Sequence, residues 1–286
     1  MAIRPKTLPA AIAPVLIGTG MAFGDGIADF PTAGLCLLGA LAIQIGTNLA
    51  NDYFDYRKGA DTSERLGPTR VTQAGLVKPW LMIAAVIFVF SLAAFIAYLL
   101  YLRAGQPIAV IGILSIISGV LYTAGPWPLG YVGLGEIFVL IFFGPVAVAG
   151  TYYAQSLEIN LAVVLAGIAP GLIAMGILTV NNLRDLDGDQ KAGKRTLAVR
   201  FGRSFAQQEY LFSILMASLM PVVISLMIQD HYWILLACFT SLLAIPSFIT
   251  VLKNPAGPSL NDVLALTGKL LLVYSVLFTA GWIYEN

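Results

Sequence analysis

Two stretches of this sequence place carboxamide and carboxylate side chains at helical spacing, directly after long apolar runs. Each carries an Asn-x-x-x-Asp pattern and then a further aspartate. In chain order these residues are Asn51, Asp55 and Asp61, then Asn181, Asp185 and Asp189. Because residues four apart share one face of a helix, each pattern presents its side-chain oxygens together. A basic residue follows each set within ten positions, Arg70 in the first stretch and Arg195 in the second.

The chemistry that suits such a set is a metal ion with a bound diphosphate. Two like unit charges 4 Å apart repel by about 4 kcal/mol at an effective dielectric constant near 20, so clustered carboxylates need a cation. Carboxylate and carboxamide oxygens are hard ligands suited to Mg²⁺, which usually also binds phosphate oxygens. The lysines and arginines directly behind the aspartates suit an anion, especially a diphosphate.

The polar residues of the first stretch continue inward along the preceding apolar run. Gln44, Asn48, Asn51 and Asp55 fall within about 60° of one another on a helix. Polar groups at bilayer depth normally face a bundle interior or a water-filled cavity. In the second stretch Asp189 follows at i+8 if the helix persists, although Gly188 is a candidate helix end. A solvated membrane boundary is the alternative explanation, and we favour it for Glu64, Asp187 and Arg203.

The elements that position these residues are transmembrane helices. The chain has 286 residues, of which 58% are hydrophobic and 11% are charged, whereas soluble domains carry about 25% charged residues. The mean hydropathy is +0.85, and each apolar run is long enough to cross a hydrocarbon layer of about 30 Å. We therefore predict an all-α, polytopic membrane protein. Its nine spans are expected at residues 8–23, 31–53, 79–102, 107–122, 133–152, 159–182, 205–228, 232–251 and 263–284.

The distribution of basic residues predicts the orientation in the membrane. All of the 16 lysines and arginines except Arg103 and Lys269 fall on the side of the N-terminus. This bias places the N-terminus and both charged loops in the cytoplasm, with the protein in the inner (cytoplasmic) membrane. Arg4 and Lys6 precede the first span as in a signal peptide, but we expect that span to be retained. The net charge of +1 gives no indication of nucleic-acid binding, and no obligate protein partner is evident.

The two motifs also suggest an internal repeat. They lie four spans apart, so their helices run in the same direction across the membrane. We expect two pseudo-repeated four-helix halves and a ninth helix within a single domain, residues 1–286. The first metal motif covers residues 48–61 with the loop 55–78, and the second covers residues 181–189 with the loop 183–204. Cys36, Cys238 and the single histidine, His231, do not indicate a disulfide framework or a zinc site.

Four segments of the chain resemble a known family. They are RPKTLPAAIAPVLIGTG near the start, NDYFDYRKGAD with GPTRVTQAGLV, YTAGPWPLGYVGLGE, and NNLRDLDGDQKAGKRTLAVRFG. Together they are similar to the UbiA-type intramembrane prenyltransferases, and within them to the 1,4-dihydroxy-2-naphthoate prenyltransferases of menaquinone and phylloquinone synthesis. The resemblance covers residues 4 to 202, while the last three spans match only as generic hydrophobic helices.

The resemblance implies a nine-helix bundle and two Mg²⁺ ions that bridge a prenyl diphosphate. The implied metal ligands are Asn51, Asp52, Asp55, Asp61, Asn181, Asp185 and Asp189. The implied diphosphate-binding residues are Arg70, Lys191, Lys194 and Arg195. Asp55, Asp185, Arg70 and Lys194 are the expected catalytic residues. Asp55 and Asp61 are six positions apart, where 4-hydroxybenzoate enzymes commonly have four, and this difference favours the naphthoate branch.

The loop TAGPWPLGYVGLGE lies on the same predicted side as both motifs, and its prolines and glycines indicate a defined turn. We expect Asn48, Tyr122, Trp127 and Tyr131 to line the acceptor and prenyl pocket, where aromatic faces can shield a carbocation. An aromatic belt at the membrane interface is the alternative for the aromatic residues. The run FVLIFFG, residues 138–144, either walls a prenyl tunnel or faces lipid.

The implied reaction transfers a polyprenyl group from polyprenyl diphosphate to 1,4-dihydroxy-2-naphthoate, with loss of CO₂ and pyrophosphate, to give demethylmenaquinol. One alternative keeps the same chemistry with 4-hydroxybenzoate or homogentisate as the acceptor. Another, from a different class, is a cation-coupled secondary transporter, which also carries repeats and intramembrane carboxylates. The carboxylates here cluster at helix ends beside basic loops, which suits an anionic head group better. A CDP-alcohol phosphotransferase is disfavoured because its denser aspartate-and-glycine motif is missing.

Overall fold

The computed structural model describes residues 2–59, 67, 70–253 and 256–285, and this part of the chain contains helices and no strand. Two 3₁₀ helices, Pro5–Thr7 and Tyr232–Phe239, accompany the α-helices. The α-helices are α1 (Pro9–Gly24), α2 (Phe30–Arg57), α3 (Pro79–Ala104), α4 (Gln106–Leu121), α5 (Gly135–Phe142), α6 (Pro145–Ser156), α7 (Leu161–Lys191), α8 (Leu197–Ile228), α9 (Thr240–Leu243), α10 (Ile245–Lys253) and α11 (Leu260–Glu285). The predicted all-α class is confirmed.

Eight helical stretches among the described residues are long and apolar enough to cross a membrane, so the protein is a polytopic membrane protein as predicted. Three of these stretches combine neighbouring elements: the first 3₁₀ turn with α1, α5 with α6, and the segment 232–253. The predicted fourth span corresponds to α4, which has only 16 residues. At 1.5 Å per residue α4 is about 24 Å long, somewhat less than the hydrocarbon thickness of about 30 Å.

The predicted fifth span is broken in the middle, between α5 and α6. Pro145 begins α6 and has no N–H for a bond to the preceding turn, so the helix cannot continue unchanged through this point. The break also lies close against α7. A Cβ on Gly144 would lie 2.6 Å from the Gly167 carbonyl oxygen and 3.0 Å from the Gly171 Cα. Glycine at these positions therefore lets the two backbones touch.

Helix α7 lies at the centre of the bundle and packs against α1, α5, α6, α8 and α11. It does not end at the candidate stop Gly188, but continues to Lys191. The turn comes at Gly193, whose φ of +74° is readily adopted only by glycine, and the Lys194 amide donates to the Asp189 carbonyl (2.9 Å). Asp189 therefore stays helical, one turn beyond Asp185 on the same face.

Candidate active site

A cavity of about 640 Å³ opens inside the bundle, and residues of both aspartate motifs line one end of it. Its walls continue along α2 to Cys36, beside Leu100 of α3 and Ile108 of α4. Cys36 and Asp55 are 19 positions apart on α2, which corresponds to about 28 Å along the helix axis. The cavity therefore joins a charged end to a long, mostly apolar interior.

At the first motif, Asp55 is held by two partners that lie far from it in sequence. Arg70 Nη2 is 2.8 Å from Asp55 Oδ2, and both side chains are almost fully buried. The Tyr131 hydroxyl donates to the other oxygen, Oδ1, at 2.7 Å. Asn51 Oδ1 accepts a hydrogen bond from Thr123 Oγ1 at 2.9 Å. The end of α2 is thereby tied to the loop that follows α4.

Asp52 has a different environment from its neighbours in the motif. Its two carboxylate oxygens accept hydrogen bonds from the backbone amides of Val71 (3.1 Å) and Thr72 (3.0 Å). These bonds fix the chain directly after Arg70 and so help to hold the Arg70 side chain against Asp55. The metal role predicted for Asp52 therefore competes with a backbone-anchoring role.

At the second motif, a single guanidinium binds two of the three predicted ligand residues. Arg184 donates from Nε to Asp185 Oδ1 (2.8 Å) and from Nη2 to Asp185 Oδ2 (2.6 Å). Nη2 also donates to Asn181 Oδ1 (2.8 Å), and Nη1 donates to Asn261 Oδ1 (2.8 Å) at the start of α11. Such a bidentate, charge-assisted contact fixes the plane of the carboxylate.

Lys194 joins the two motifs. Its Nζ lies 3.3 Å from Asp189 Oδ1 on α7 and 3.9 Å from Asp55 Oδ2 on α2. The same ammonium group lies 4.8 Å from the centre of the Tyr131 ring, which is within the range of a cation–π contact. The prediction that the two motifs face one cavity agrees with this geometry.

The loop 122–134 is clamped between the two motif helices. Lys58 Nζ donates to the carbonyls of Thr123 (2.7 Å) and Gly125 (3.2 Å), and lies 4.8 Å from the Tyr131 ring centre. On the other side, the Arg195 amide donates to the Tyr131 carbonyl at 2.7 Å. Desolvation lowers the pKa of Lys58, with Asp55 opposing this effect and Lys194 adding to it. The ring of Tyr131 thus lies beside two cations at the mouth of the cavity.

The structure brings most of the sequence-predicted site residues together. Those that line the cavity are Asn48, Asn51, Asp52, Asp55, Arg70, Tyr122, Tyr131, Asn181, Asp185, Asp189 and Lys194. Asn48 also donates to the Ile3 carbonyl (2.9 Å) and Thr7 Oγ1 (3.1 Å), and so holds the N-terminal segment against α2.

Three predicted site residues within the described part of the chain are not among those that line the cavity. Trp127 is 80% exposed and is not part of the cavity wall, so its place in the acceptor pocket stays a prediction. Its loop turns outward between Gly125 and Pro128. Lys191 and Arg195 are exposed and also lie outside the cavity wall, whereas Lys194 between them lines it. Asp61 lies outside the described residues.

The donor atoms at the charged end fit a divalent cation of the Mg²⁺ type. Asp55, Asp185 and Asp189 offer carboxylate oxygens, and Asn51 and Asn181 add amide oxygens, all of which are hard ligands. In the described part of the chain, no three acidic, cysteine or histidine side chains form a ready-made metal cage. Mg²⁺ normally uses one or two carboxylates together with substrate phosphates, so a full protein cage is not required.

The run FVLIFFG presents one face to the cavity and the other outward. Phe138 and Phe142 line the cavity, with ring centres 5.9 Å apart and planes inclined by 12°. Ile141 of the run and Ile137 directly before it point away and are 43% and 52% exposed. One face of this helix therefore belongs to the cavity wall, while the other lies at the protein surface.

Sequence reasoning missed several residues of the cavity wall. Arg184 lies inside the second motif, but the sequence analysis gives it no role at the site. Asn182, two positions before Arg184, donates from Nδ2 to the buried Glu136 at 2.8 Å. Arg4 and Asn261 also line the cavity. The position of Arg184 inside the motif was a usable signal, whereas nothing in the sequence of the last helix marks Asn261.

Comparison with known proteins gives a match over almost the whole chain. The model of the UbiA prenyltransferase family matches residues 11–264. The 1,4-dihydroxy-2-naphthoate octaprenyltransferase of Haemophilus influenzae is 35% identical, with 97% of this chain and 93% of that protein covered. The protein of the same name from Escherichia coli is 37% identical, with 98% and 92% covered.

Solved structures with the same fold include a UbiA homolog from Archaeoglobus fulgidus bound to DMAPP and Mg²⁺. Its TM-score is 0.68 at 16% identity, with 99% of this chain and 98% of that chain covered. A UbiA homolog from Aeropyrum pernix, in the apo form, gives 0.69 at 16% identity, with 96% and 97% covered. At these identities the likeness establishes the fold.

Proposed function

The chain belongs to the UbiA prenyltransferase family, and from that premise we propose that it prenylates 1,4-dihydroxy-2-naphthoate. The prenyl donor is a polyprenyl diphosphate, and the product is demethylmenaquinol, released with CO₂ and pyrophosphate. The observation that carries the proposal is the single cavity with the two aspartate motifs at one end and apolar walls beyond them. The names of the relatives from Haemophilus influenzae and Escherichia coli support the naphthoate acceptor.

The residues at the charged end receive roles from their chemistry. We propose that Asn51 and Asp55 hold one Mg²⁺ and that Asn181, Asp185 and Asp189 hold a second. These ions, when bound, neutralise the diphosphate and stabilise its departure. Arg70 and Lys194 lie beside the carboxylates and bind the diphosphate oxygens, which gain negative charge as the bond to carbon breaks.

Bond changes in the reaction balance without a redox partner. The allylic carbon–oxygen bond breaks, and its electron pair leaves with pyrophosphate. The ring carbon that bears the carboxylate attacks the allylic carbon and forms the new carbon–carbon bond. The bond to the carboxylate then breaks, CO₂ departs, and its electron pair restores the aromatic ring. Tyr131 and Phe138 line the cavity in which the allylic cation is shielded from water.

The location of the reaction follows from the charge bias of the loops. We propose that the N-terminus, loop 122–134 and the ends of α2 and α7 face the cytoplasm, in the inner membrane. The diphosphate then enters from the cytoplasmic side while the polyprenyl chain occupies the apolar interior of the bundle. Asn48 supports this arrangement because it holds the N-terminal segment at the cavity wall.

An acceptor-competition assay tests the proposal. The purified protein in detergent is supplied with a polyprenyl diphosphate and either 1,4-dihydroxy-2-naphthoate or 4-hydroxybenzoate, with Mg²⁺ or with EDTA. We expect Mg²⁺-dependent prenylation of the naphthoate with release of CO₂, detected by mass spectrometry. Product from 4-hydroxybenzoate alone overturns the acceptor assignment. Absence of any prenylated aromatic product contradicts the proposed reaction as a whole.

A further inference from the structure

The carboxylates at the charged end are already neutralised by side chains of this protein. Each of three motif aspartates that line the cavity lies within 4 Å of a basic nitrogen. The pairs are Asp55 with Arg70 (2.8 Å), Asp185 with Arg184 (2.6 Å) and Asp189 with Lys194 (3.3 Å). A divalent cation that approaches this site meets paired carboxylates and nearby positive charges.

Arg184 is the most deeply buried of these basic residues, with a side chain 1% exposed. Its nitrogens bind both oxygens of Asp185 and the amide oxygen of Asn181. Asp185 and Asn181 are two of the three ligand residues that the second motif offers to a metal. A guanidinium presents its donors in a rigid fork that matches a carboxylate and also matches a phosphate.

We propose that Arg184 is an exchangeable counter-ion that becomes a diphosphate-binding residue. It holds Asp185 and Asn181 in the absence of substrate, and it transfers its hydrogen bonds to the diphosphate when metal and diphosphate enter. This inference rests on the proposed function and adds a binding residue to it. Asp185 and Asn181 are then available to the cation. Asp185 exchanges the guanidinium for the metal ion, and Arg184 exchanges the carboxylate for the diphosphate.

The contact with Asn261 explains how the guanidinium can turn without losing its position. Nη1 is bound to Asn261 Oδ1 at the start of α11, on the side away from the Asp185 contacts made by Nε and Nη2. Both Arg184 and Asn261 line the cavity. The Nη1 bond therefore serves as a fixed point, while Nε and Nη2 change their acceptors.

The physical consequence is that metal and diphosphate load together. A bare cation must displace a guanidinium from Asp185 and leave that guanidinium buried next to a second positive charge, which is unfavourable in a medium of low dielectric constant. A diphosphate supplies new acceptors for the displaced guanidinium. The protein should therefore bind a divalent cation weakly alone and tightly with diphosphate.

The test measures binding of Mn²⁺ to the full-length protein in detergent by electron paramagnetic resonance, with and without inorganic pyrophosphate. Arg184→Gln removes the counter-ion, and Arg184→Lys keeps the charge without the fork. The matched control is Arg203→Gln, which removes an arginine paired with Asp187 (2.6 Å) outside the cavity wall.

Without pyrophosphate, we expect Arg184→Gln to bind Mn²⁺ about tenfold more tightly than the unmodified protein, because one nearby positive charge is gone. Pyrophosphate should tighten Mn²⁺ binding to the unmodified protein, and this gain should fall about tenfold in Arg184→Gln. Arg203→Gln should match the unmodified protein in both measurements. Arg184→Lys should bind Mn²⁺ weakly without pyrophosphate and show a reduced gain with it.

Weaker or unchanged Mn²⁺ binding by Arg184→Gln without pyrophosphate overturns the inference, because the residue would then only orient the ligands. If Arg184→Gln fails to give a monodisperse, cooperatively unfolding protein, Arg184→Lys decides instead. A pyrophosphate gain in Arg184→Lys equal to that of the unmodified protein also overturns it. If the unmodified protein binds no Mn²⁺ even with pyrophosphate, the metal–diphosphate site of the proposed function is itself contradicted.

Discussion

The two aspartate motifs are alike in sequence but are neutralised in different ways. At the end of α2, the partners of Asp55 are Arg70, fifteen residues further along the chain, and Tyr131 from a distant loop. At the end of α7, the partner of Asp185 is its immediate neighbour Arg184, which is tied to the last helix. Asp55 is therefore held by residues from loops, whereas Asp185 is held by a residue of its own helix that is tied to α11.

This difference shows that a repeated ligand pattern does not bring repeated surroundings. In the first motif, Asp52 supports the loop by accepting from the amides of Val71 and Thr72. In the second motif, the corresponding neighbour of Asn181 is Asn182, which instead donates to Glu136. The two motifs should consequently contribute the same kind of ligand to one substrate, and yet respond differently to changes in their supporting residues.

The largest expected effect comes from removing one carboxylate of either motif. Asp55→Ala and Asp185→Ala should each lower kcat/KM for prenyl transfer by about 10³-fold or more, because each removes a charge that stabilises the metal–diphosphate. Initial rates with saturating acceptor measure this. Asp187→Ala, on the exposed face of α7, is the control and should retain activity. Full activity in Asp55→Ala would mean that the first motif is not part of the site.

A smaller effect, confined to the first motif, is expected for Tyr131→Phe. The substitution removes the hydrogen bond from the hydroxyl to Asp55 and leaves the ring between Lys58 and Lys194. A hydrogen bond to a charged group contributes about 1.5–3 kcal/mol, so kcat/KM should fall about tenfold or somewhat more. Tyr98→Phe, on the exposed face of α3, serves as the control. An unchanged rate would show that the loop does not support Asp55.

The corresponding change at the second motif is Asn261→Leu, which removes the anchor of Arg184 on α11. We expect kcat/KM to fall about three- to tenfold, because the guanidinium keeps its contacts to Asp185 and Asn181. Combination with Tyr131→Phe should be additive in free energy, since the two changes act on different halves of the site. Strong non-additivity in this double-mutant cycle would indicate that the halves are not independently supported.

The smallest effect is expected for Trp127→Ala. This substitution tests whether the exposed part of loop 122–134 contributes to the acceptor pocket. Trp127 is exposed and lies outside the cavity wall, in contrast to Tyr131 of the same loop. Acceptor KM should change less than twofold, in line with the small effects of most exposed substitutions. A tenfold rise in acceptor KM alone would place this residue in the acceptor pocket after all.

Much of the fold was predictable because the bilayer allows few kinds of backbone structure to cross it. Long apolar runs must be helices, and polar residues at helical spacing inside them must face the interior, as Asn48 and Asn51 do. The break at Gly144 was not predicted, since the run reads as one continuous apolar segment. Pro145 was a usable signal for the break, whereas the close approach of α7 at Gly167 is a tertiary contact that the sequence does not show.

In the candidate site, too, features of a single helix were predictable and contacts between distant segments were not. Asp55 and Asp185 were found from residue type and spacing, which are properties of one helix at a time. The pairing of Arg184 with Asp185 could not be found in this way. The direction of the Arg184 side chain depends on Asn261, which is 77 residues away on α11. Lys191 and Arg195 are assigned to the diphosphate only because they follow the motif, and both are exposed and lie outside the cavity wall that Lys194 lines. The metal roles and the single-domain organisation stay predictions.

The measurement that tests the central claim most directly is a structure of the protein with Mn²⁺ and an unreactive prenyl thiolodiphosphate. Anomalous scattering locates each Mn²⁺ ion, and the density of the analogue shows which side chains hold the diphosphate. We predict one diphosphate between the ends of α2 and α7, with Mn²⁺ bound to Asp55 on one side and to Asp185 on the other. A diphosphate held by only one motif, or metal outside the cavity, would contradict the account of a single site built from both.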